Sequence, residues 1–217
     1  MDKEYHKIKT LYERDVCGNK KLIEGKFISP TFEYLKDNVW EFTEKVDGTN
    51  IRVYWDGHKV SFHGRTDKAQ IPSSLLNKLV DLFGDQKNEE LFEQLFGDKE
   101  VTLYGEGYGI GIQKVGCDYL DHQDFILFDV NVNGFWLNRE DIESIAAAFN
   151  IKIVPVIFEG TLKEGVDFVK SHPKSLLGSC EMEGVVGRTK ECLYDRNGDR
   201  MIVKIKVRAF LYWIKKD

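Results

Sequence analysis

The chain has 217 residues, of which 42% are hydrophobic and 12% aromatic, a composition typical of a globular protein with a sizeable core. Its net charge of −5 argues against a protein that coats nucleic acid indiscriminately. The first residues, MDKEYHKIKT, lack the apolar segment of a secretory signal, and no apolar run is long enough to span a bilayer.

The first half of the chain predicts a hairpin of strands followed by two helices. Alternation of apolar and polar residues predicts three strands, at 39–45, 50–55 and 59–66. The sequence DGHK at 56–59 is typical of a hairpin turn. Two segments with apolar residues at helical spacing, SSLLNKLVDLFG and NEELFEQLFG, end at Gly84 and Gly97, where helices often end.

The second half predicts further strands with helices between them. The strands are expected at 100–109, 124–132, 135–137, 151–158, 181–189 and 201–207. One helix is expected at 138–149, where Asn138 is a preferred N-cap residue, and another near 161–171. This order predicts an α+β fold with antiparallel sheets flanked by helices, rather than a wound βαβ fold.

Two features suggest ligand sites but do not have the required spacing. YGEGYGIGIQ at 104–113 lacks the third glycine of a dinucleotide-binding G-x-G-x-x-G and the G-K-[ST] of a phosphate loop. Its glycines are expected to let a backbone approach a ligand, or to form a turn. His58 and His63 have no carboxylate at metal-ligand spacing, so we expect both on the surface or in the core.

Charge distribution and cysteine spacing give coarser indications. Residues 174–217 carry roughly +4 and the remainder roughly −9, which suits either a local phosphate site or a solvated basic segment. The four cysteines lie far apart and have no zinc-binding spacing: Cys17, Cys117, Cys180 and Cys192. We therefore expect reduced thiols and a cytoplasmic location.

Polar residues interrupt several segments that otherwise resemble buried strands. Lys45 ends a predicted strand before an Asp-Gly turn, and Glu106 and Glu183 adjoin apolar strand sequences. Lys204 and Lys206 are two residues apart, so in a strand both amines point to the same face. The alternative is that these lysines are solvated, either on the surface or at a strand edge, where lysines discourage aggregation.

Together these residues suit attack by a lysine on a nucleotide. A nucleophilic lysine must be neutral, whereas the reference pKa of a lysine amine is about 10.4, and nearby cations disfavour protonation. Lys204, Lys206 and a divalent metal would supply such cations around Lys45 and would also hold a triphosphate. Glu106 and Glu183 offer the oxygen ligands that Mg²⁺ accepts alongside phosphate.

Five segments resemble, in order, the nucleotidyltransferase motifs of polynucleotide ligases and mRNA capping enzymes. They are EKVDGTN, YGEGYG, LFDV, EGVVGRT and VKIK, and they span residues 44–206. Asn50 stands five residues after the lysine, where DNA ligases and capping enzymes usually have Arg, and HGRT contains Arg65. Both features resemble the ATP-dependent RNA ligases that seal nicks in duplex RNA, including the RNA-editing ligases.

This resemblance implies a three-step reaction that uses ATP and Mg²⁺ or Mn²⁺. Lys45 would attack the α-phosphorus of ATP, release pyrophosphate and form lysyl-AMP. The AMP would pass to an RNA 5′-phosphate, and a 3′-hydroxyl would displace it to join the ends. The nucleotide pocket is expected between the sheets of one adenylation domain that covers residues 1–217, without a separate C-terminal domain.

The resemblance also assigns residues to each part of the nucleotide. The assignments are Glu44 to the adenine edge, Phe128 to stacking on the adenine face, Glu106 to the ribose, Lys204 and Lys206 to the AMP phosphate, Glu183 to the metal, and Asn50 and Arg65 to the reacting phosphates, with Asp129 as the partner of Arg65. A simple core position is the alternative for Phe128, because its strand is apolar on both sides.

One position departs from the RNA-sealing relatives. Asp47 stands two residues after the lysine, where some of them have His, and in this it resembles DNA ligases and capping enzymes. Asp47 and Gly48 are expected to form the turn that presents Lys45. The leading interpretation is an ATP-dependent RNA ligase of RNA repair, or its nucleotidyltransferase domain, that acts as a monomer on RNA ends and does not bind membranes. The alternatives are a DNA ligase core, a capping guanylyltransferase and a non-catalytic nucleic-acid-binding module.

Overall fold

The computed structural model describes residues 4–15, 17 and 21–210. Within these bounds the chain forms two compact units. Unit 1 contains residues 47–154 and the described residues up to His6, and unit 2 contains residues 7–46 and those from 155 onward. Part of the basic segment predicted at 174–217 therefore lies outside the described residues.

Thirteen strands are described, and most of them agree with the predicted strands. In chain order they are β1 (Lys9–Thr10), β2 (Tyr12–Arg14), β3 (Leu22–Phe27), β4 (Trp40–Glu44), β5 (Thr49–Trp55), β6 (Val60–His63), β7 (Val101–Gly109), β8 (Gln123–Val132), β9 (Phe135–Trp136), β10 (Lys152–Ile153), β11 (Val156–Gly160), β12 (Gly184–Thr189) and β13 (Ile202–Lys206).

Six described α-helices separate the strands. They are α1 (Pro30–Tyr34), α2 (Ser73–Phe83), α3 (Gln86–Phe96), α4 (Gly116–Tyr119), α5 (Arg139–Ala148) and α6 (Leu162–Lys170). The predicted cap of α5 is confirmed, because the Asn138 side chain accepts a hydrogen bond from the Asp141 amide. None of the described helices is both long and apolar enough to cross a membrane.

Unit 1 is built on a sheet with the strand order β10-β8-β7-β5-β6, to which β9 adds beside β8. Its pairs are antiparallel except for β10, which runs parallel to β8. One face of this sheet packs against helices and forms a core to which α2 contributes Leu79, α3 contributes Phe92 and α5 contributes Ile142. Polar side chains of these strands therefore lie on the opposite face of the sheet.

Unit 2 is built on a second sheet with the order β1-β13-β12-β4-β11. All its pairs are antiparallel except the short parallel pair of β1 and β13. Helix α6 begins with a capping box between Thr161 and Glu164 and packs Val166 and Val169 into the core of this unit. Mixed helices and largely antiparallel sheets confirm the predicted α+β class.

The prediction of a single strand at 151–158 is wrong. Residues 152–153 pair with β8 in unit 1, whereas residues 156–160 pair with β4 in unit 2. Pro155 separates the two strands, and proline has no amide hydrogen to donate to a ladder. The chain therefore passes from one unit to the other at this proline.

Candidate active site

Lys45 directly follows β4, which lies inside the sheet of unit 2 between β12 and β11. The Lys45 amide donates to the carbonyl of Gly184 over 2.9 Å, so the pairing with β12 extends to this residue. Apolar residues of β4 such as Trp40 and Phe42 are fully buried and anchor the strand. The backbone of Lys45 is thereby fixed, and its side chain is half-buried.

The carboxylate of Glu183 lies between two lysine amines. Lys45 Nζ is 2.6 Å from Oε2, and Lys206 Nζ is 2.5 Å from Oε1. The exposed fractions of the three side chains are 22% for Lys45, 11% for Glu183 and 17% for Lys206. The structure therefore brings together the predicted nucleophile, the predicted metal ligand and one predicted phosphate ligand.

Backbone pairing sets this arrangement. Gly184 at the start of β12 is opposite Lys206, and the Val207 amide donates to the carbonyl of Glu183 over 3.0 Å. Glu183 and Lys206 are thus held at the same end of two paired strands. The cluster needs no flexible loop to assemble it.

The pKa of Glu183 lies below its ordinary value. Burial by itself raises the pKa of this carboxyl, but the charge of Lys45 and the hydrogen bonds and charge of Lys206 and Lys45 together outweigh the burial. The carboxylate is therefore ionised at neutral pH, as both an ion-pair partner and a metal ligand must be.

Lys204 and Lys206 share one face of β13, as predicted. The residues that alternate with them, Val203, Ile205 and Val207, are all buried, whereas both lysines are half-buried. β13 lies between β1 and β12 and is not an edge strand. The alternative that these lysines protect a sheet edge therefore has no support.

Glu44, the residue before the predicted nucleophile, is only 2% exposed. Its carboxylate accepts hydrogen bonds from the Ser175 hydroxyl and, over 2.9 Å, from the Leu176 amide. Burial raises the pKa of Glu44, and the two hydrogen bonds oppose that rise. Sequence reasoning missed Ser175, because 131 residues separate it from Glu44. The adenine contact of Glu44 stays a prediction.

In unit 1 the predicted site residues lie on one face of the sheet. Asn50 on β5 is opposite Glu106 on β7, and Tyr104 on β7 is opposite Asp129 on β8. Directly opposed residues of antiparallel strands point to the same face, as do residues two apart on one strand. Strand register therefore places Asn50, Glu106 and Asp129 on the face opposite the helix-packed core.

The side-chain oxygen of Asn50 is buried and has no hydrogen-bond partner among the described residues. An unpaired buried acceptor costs about 1–3 kcal/mol relative to a paired one. A ligand that supplies a donor or a cation would remove this cost. The buried oxygen of Asn50 is therefore placed to accept a hydrogen bond from a ligand or to bind a cation.

Phe128 occupies a β-bulge. Leu127 pairs with Gly105 and Asp129 pairs with Tyr104, so Phe128 is the extra residue between two regular pairs. Bulges redirect a side chain and are frequent next to active sites. The Phe128 ring is half-buried and meets the ring of Tyr5 edge-on at 5.1 Å, an arrangement that differs from a simple core position.

Asp129 is completely buried and accepts a hydrogen bond from the phenol of Tyr5 over 2.7 Å. The Tyr5 ring also packs against Tyr104 and Trp136. Sequence reasoning left residues 1–38 without a structure and so missed Tyr5. The predicted pairing of Asp129 with Arg65 stays a prediction. Arg65 itself is exposed and follows β6.

The glycines of YGEGYG serve packing within unit 1. A Cβ atom on Gly105 would lie 2.2 Å from the Phe125 ring, and one on Gly107 would lie 2.3 Å from the Leu75 side chain. Neither glycine is required for a phosphate loop.

The Asp47 amide donates to the Tyr119 hydroxyl over 3.2 Å, a contact that the sequence did not predict.

A sequence profile described as RNA ligase matches residues 38–206. The chain belongs to the RNA ligase family. The match begins before Lys45 and ends at Lys206, so it covers the motifs that carried the resemblance. Branches within the family are not distinguished by this match.

Solved structures of the Naegleria gruberi RNA ligase have the same fold. A variant with ATP and manganese is 22% identical, with a TM-score of 0.65, over 87% of this chain and 54% of that one. A variant with AMP and manganese is 21% identical, with a TM-score of 0.67, over 96% and 58%. The chain therefore spans little more than half the length of these relatives. A search among curated proteins finds no match.

The manganese in the Naegleria structures raises the question of which residues of this chain could hold a divalent ion. Among the described residues no three His, Cys, Asp or Glu side chains form a metal cluster. Mg²⁺ and Mn²⁺ do not need one, since Mg²⁺ is commonly held by one or two carboxylates together with substrate phosphates. Glu183, ionised and only 11% exposed, fits that role. His63 instead contacts Ser61 Oγ at 3.0 Å, consistent with a non-ligand histidine.

Proposed function

We propose that this chain is the adenylylating part of an ATP-dependent RNA ligase and that Lys45 is its covalent nucleophile. The observation that carries the proposal is the Lys45–Glu183–Lys206 cluster at one end of three paired strands. A cluster of two amines and one carboxylate has a net positive charge, so its amines can bind an anionic phosphate while its carboxylate binds a cation. The membership of the RNA ligase family supports the same conclusion.

In the first step the Lys45 amine attacks the α-phosphorus of ATP. The nitrogen–phosphorus bond forms as the bond between the α-phosphorus and the bridging oxygen breaks, and pyrophosphate leaves. Before attack, Lys45 must leave Glu183 and lose a proton, because the reacting atom needs its lone pair. The product is lysyl-AMP.

Lys206 and Lys204 stabilise the charge that develops on the phosphoryl group during this step. Their amines share one face of β13, and preorganised cations in a partly water-excluded site lower the barrier to phosphoryl transfer. A divalent ion bound through Glu183 would neutralise phosphate charge when present. Glu183 keeps its negative charge for that purpose when Lys45 moves away.

The remaining nucleotide contacts follow from the resemblance and from the polar face of unit 1. Glu44 offers carboxylate oxygens to the amino group of adenine, which ATP has and GTP lacks. Phe128 provides the stacking ring from its bulge, and Glu106 contacts the ribose. Asn50 and Arg65 act on the reacting phosphates, and the unpaired oxygen of Asn50 supports a polar ligand at that place.

The later steps and the biological setting form part of the same proposal. AMP passes from Lys45 to an RNA 5′-phosphate, and a 3′-hydroxyl then displaces it, most suitably at a nick in duplex RNA. The half-buried lysines of β13 and the basic residues after 174 suit contact with RNA phosphates. We place this activity in RNA repair by a monomer in the cytoplasm.

The test mixes the chain with labelled ATP or labelled GTP in the presence of Mg²⁺ or Mn²⁺. We expect label from ATP and an intact mass increased by one AMP. Label from GTP would instead indicate a capping guanylyltransferase, and no label from either would indicate a binding module. Sealing of nicked RNA compared with nicked DNA then separates an RNA ligase from a DNA ligase.

A further inference from the structure

Arg52 is a buried cation on the polar face of unit 1. It is 1% exposed and lies two residues after Asn50 on β5, so the two side chains share a face. Its neighbours in sequence, Ile51 and Val53, are fully buried in the core on the other side. Arg52 is not one of the residues that the motifs assign to the nucleotide.

The guanidinium of Arg52 holds both ends of one turn. Its Nε donates to the carbonyl of Gly64 over 2.9 Å, and a terminal nitrogen donates to Oδ1 of Asp67 over 2.7 Å. The amide of Ala69 donates to the carbonyl of Thr66 over 3.0 Å and closes the segment. Arg52 thereby holds residues 64–67, which include Arg65, at both ends.

The ion pair of Arg52 with Asp67 is by itself a weak source of stability. Burying a charge is costly, and Asp67 remains 79% exposed, so its side chain gives the ion pair little shielding from water. Well-packed apolar residues often replace such pairs without loss of stability. The hydrogen bond and charge of Arg52 lower the pKa of Asp67, which keeps the contact intact at neutral pH. The forked guanidinium instead fixes the geometry of the turn at residues 64–67.

We infer that Arg52 is a positioning residue that fixes the turn at residues 64–67 and so orients Arg65 for the adenylylation of Lys45. The inference rests on the proposed function, since it needs Arg65 to act on the reacting phosphates. Arg52 itself is buried behind the turn and acts through Arg65. Two donors from one planar group fix direction as well as distance, which one amine would not.

The test removes the exposed end of the contact and leaves the buried Arg52 in place, and the melting temperature of each variant shows whether the fold is kept. Asp67→Ala should slow formation of the AMP adduct about 5- to 10-fold at saturating ATP, within the range of coupling energies for contacting residues. Asp67→Asn keeps an acceptor oxygen and should recover part of the rate. The control is Asp81→Ala, which removes one exposed carboxylate from α2.

A double-mutant cycle separates positioning from general structure. In an Arg65→Ala background, Asp67→Ala should cause no further loss, because the turn then has nothing to orient. An equal loss in that background, or no loss in the parent, would overturn the inference.

Hydrogen exchange distinguishes this failure from a failure of the proposed function. The Ala69 amide should exchange faster in Asp67→Ala than in Asp81→Ala, whether or not the protein takes label. If the Ala69 amide exchanges at the same rate in both variants, Arg52 does not hold the turn through Asp67, and the inference is overturned. If the parent takes no label but Asp67→Ala still exchanges faster, the proposed reaction and the role of Arg65 in it are overturned, while the hold of Arg52 on the turn stands.

Discussion

In unit 2 the charged side chains of the candidate site pair with one another, whereas in unit 1 Asn50 has a buried side-chain oxygen without a partner among the described residues. In unit 2 the carboxylate of Glu183 is shared by Lys45 and Lys206. In unit 1 the face that carries Glu106 and Asp129 also contains the unpaired oxygen of Asn50. At Glu183 in unit 2 a ligand must therefore compete with the ion pairs to Lys45 and Lys206. At Asn50 in unit 1 a ligand would supply a hydrogen-bond partner.

This difference predicts opposite costs for substitutions. Removing one partner from the cluster in unit 2 changes the balance of half-buried charges, and such changes are expensive when a charge is left alone. Removing Asn50 takes away an acceptor that already lacks a partner.

Lys45→Ala should eliminate the AMP adduct, because alanine lacks the nitrogen that bonds to the α-phosphorus. The fold should remain, since Lys206 still pairs with Glu183 after the change. Intact-mass analysis after incubation with ATP and Mg²⁺ gives the result. Lys36→Ala, an exposed lysine of the same unit, is the control and should react normally. An adduct on the Lys45→Ala protein would contradict the assignment of the nucleophile.

Lys206→Ala and Lys204→Ala should each slow adduct formation by about 100-fold, the effect of losing one preorganised group that stabilises developing charge. Single-turnover rates at saturating ATP and metal measure this loss apart from weaker binding. If both variants react at nearly the parental rate, the lysines of β13 do not act on the phosphoryl group.

Asn50→Ala should slow the reaction about 10-fold while leaving the melting temperature unchanged or slightly higher. The reason is that the unpaired oxygen of Asn50 costs stability in the free protein, and alanine removes it. Glu183→Ala should instead lower the melting temperature, since it leaves two amines without their carboxylate. A marked fall in melting temperature for Asn50→Ala would show that its oxygen has a partner after all.

The smallest effect concerns pH. Because the folded state lowers the pKa of Glu183, the stability it contributes is present above the unfolded pKa and is lost as pH falls through the folded one. The parent should therefore lose melting temperature more steeply than Glu183→Gln as pH drops from neutral to below 4. Glu93→Gln, an exposed change on α3, should follow the parent. Parallel curves for all three proteins would contradict the pKa shift.

Much of this structure could be predicted from local sequence. Periods of two and of about 3.6 residues located the main strands and helices from residue 39 onward. The shared face of Lys204 and Lys206 followed from their spacing alone. The contact of Lys45 with Glu183 did not follow from spacing, and only the order of motifs along the chain indicated that these residues act together.

The contacts that sequence reasoning missed join residues far apart in the chain. Tyr5 and Asp129 are separated by 124 residues, and no local pattern links a phenol near the start of the chain to that strand. The strand predicted at 151–158 failed for a different reason. Its apolar run continues across Pro155, so composition concealed the point where pairing changes from one sheet to the other.

The bulge at Phe128 makes an unusual prediction about tolerance to deletion. With Phe128 deleted, Leu127 would still pair with Gly105 and Asp129 with Tyr104, and the ladder would become regular. The sheet therefore does not depend on this residue, although it lies within a ten-residue strand. A shortened chain should keep its fold, lose the contact between the Phe128 ring and Tyr5, and bind the nucleotide more weakly.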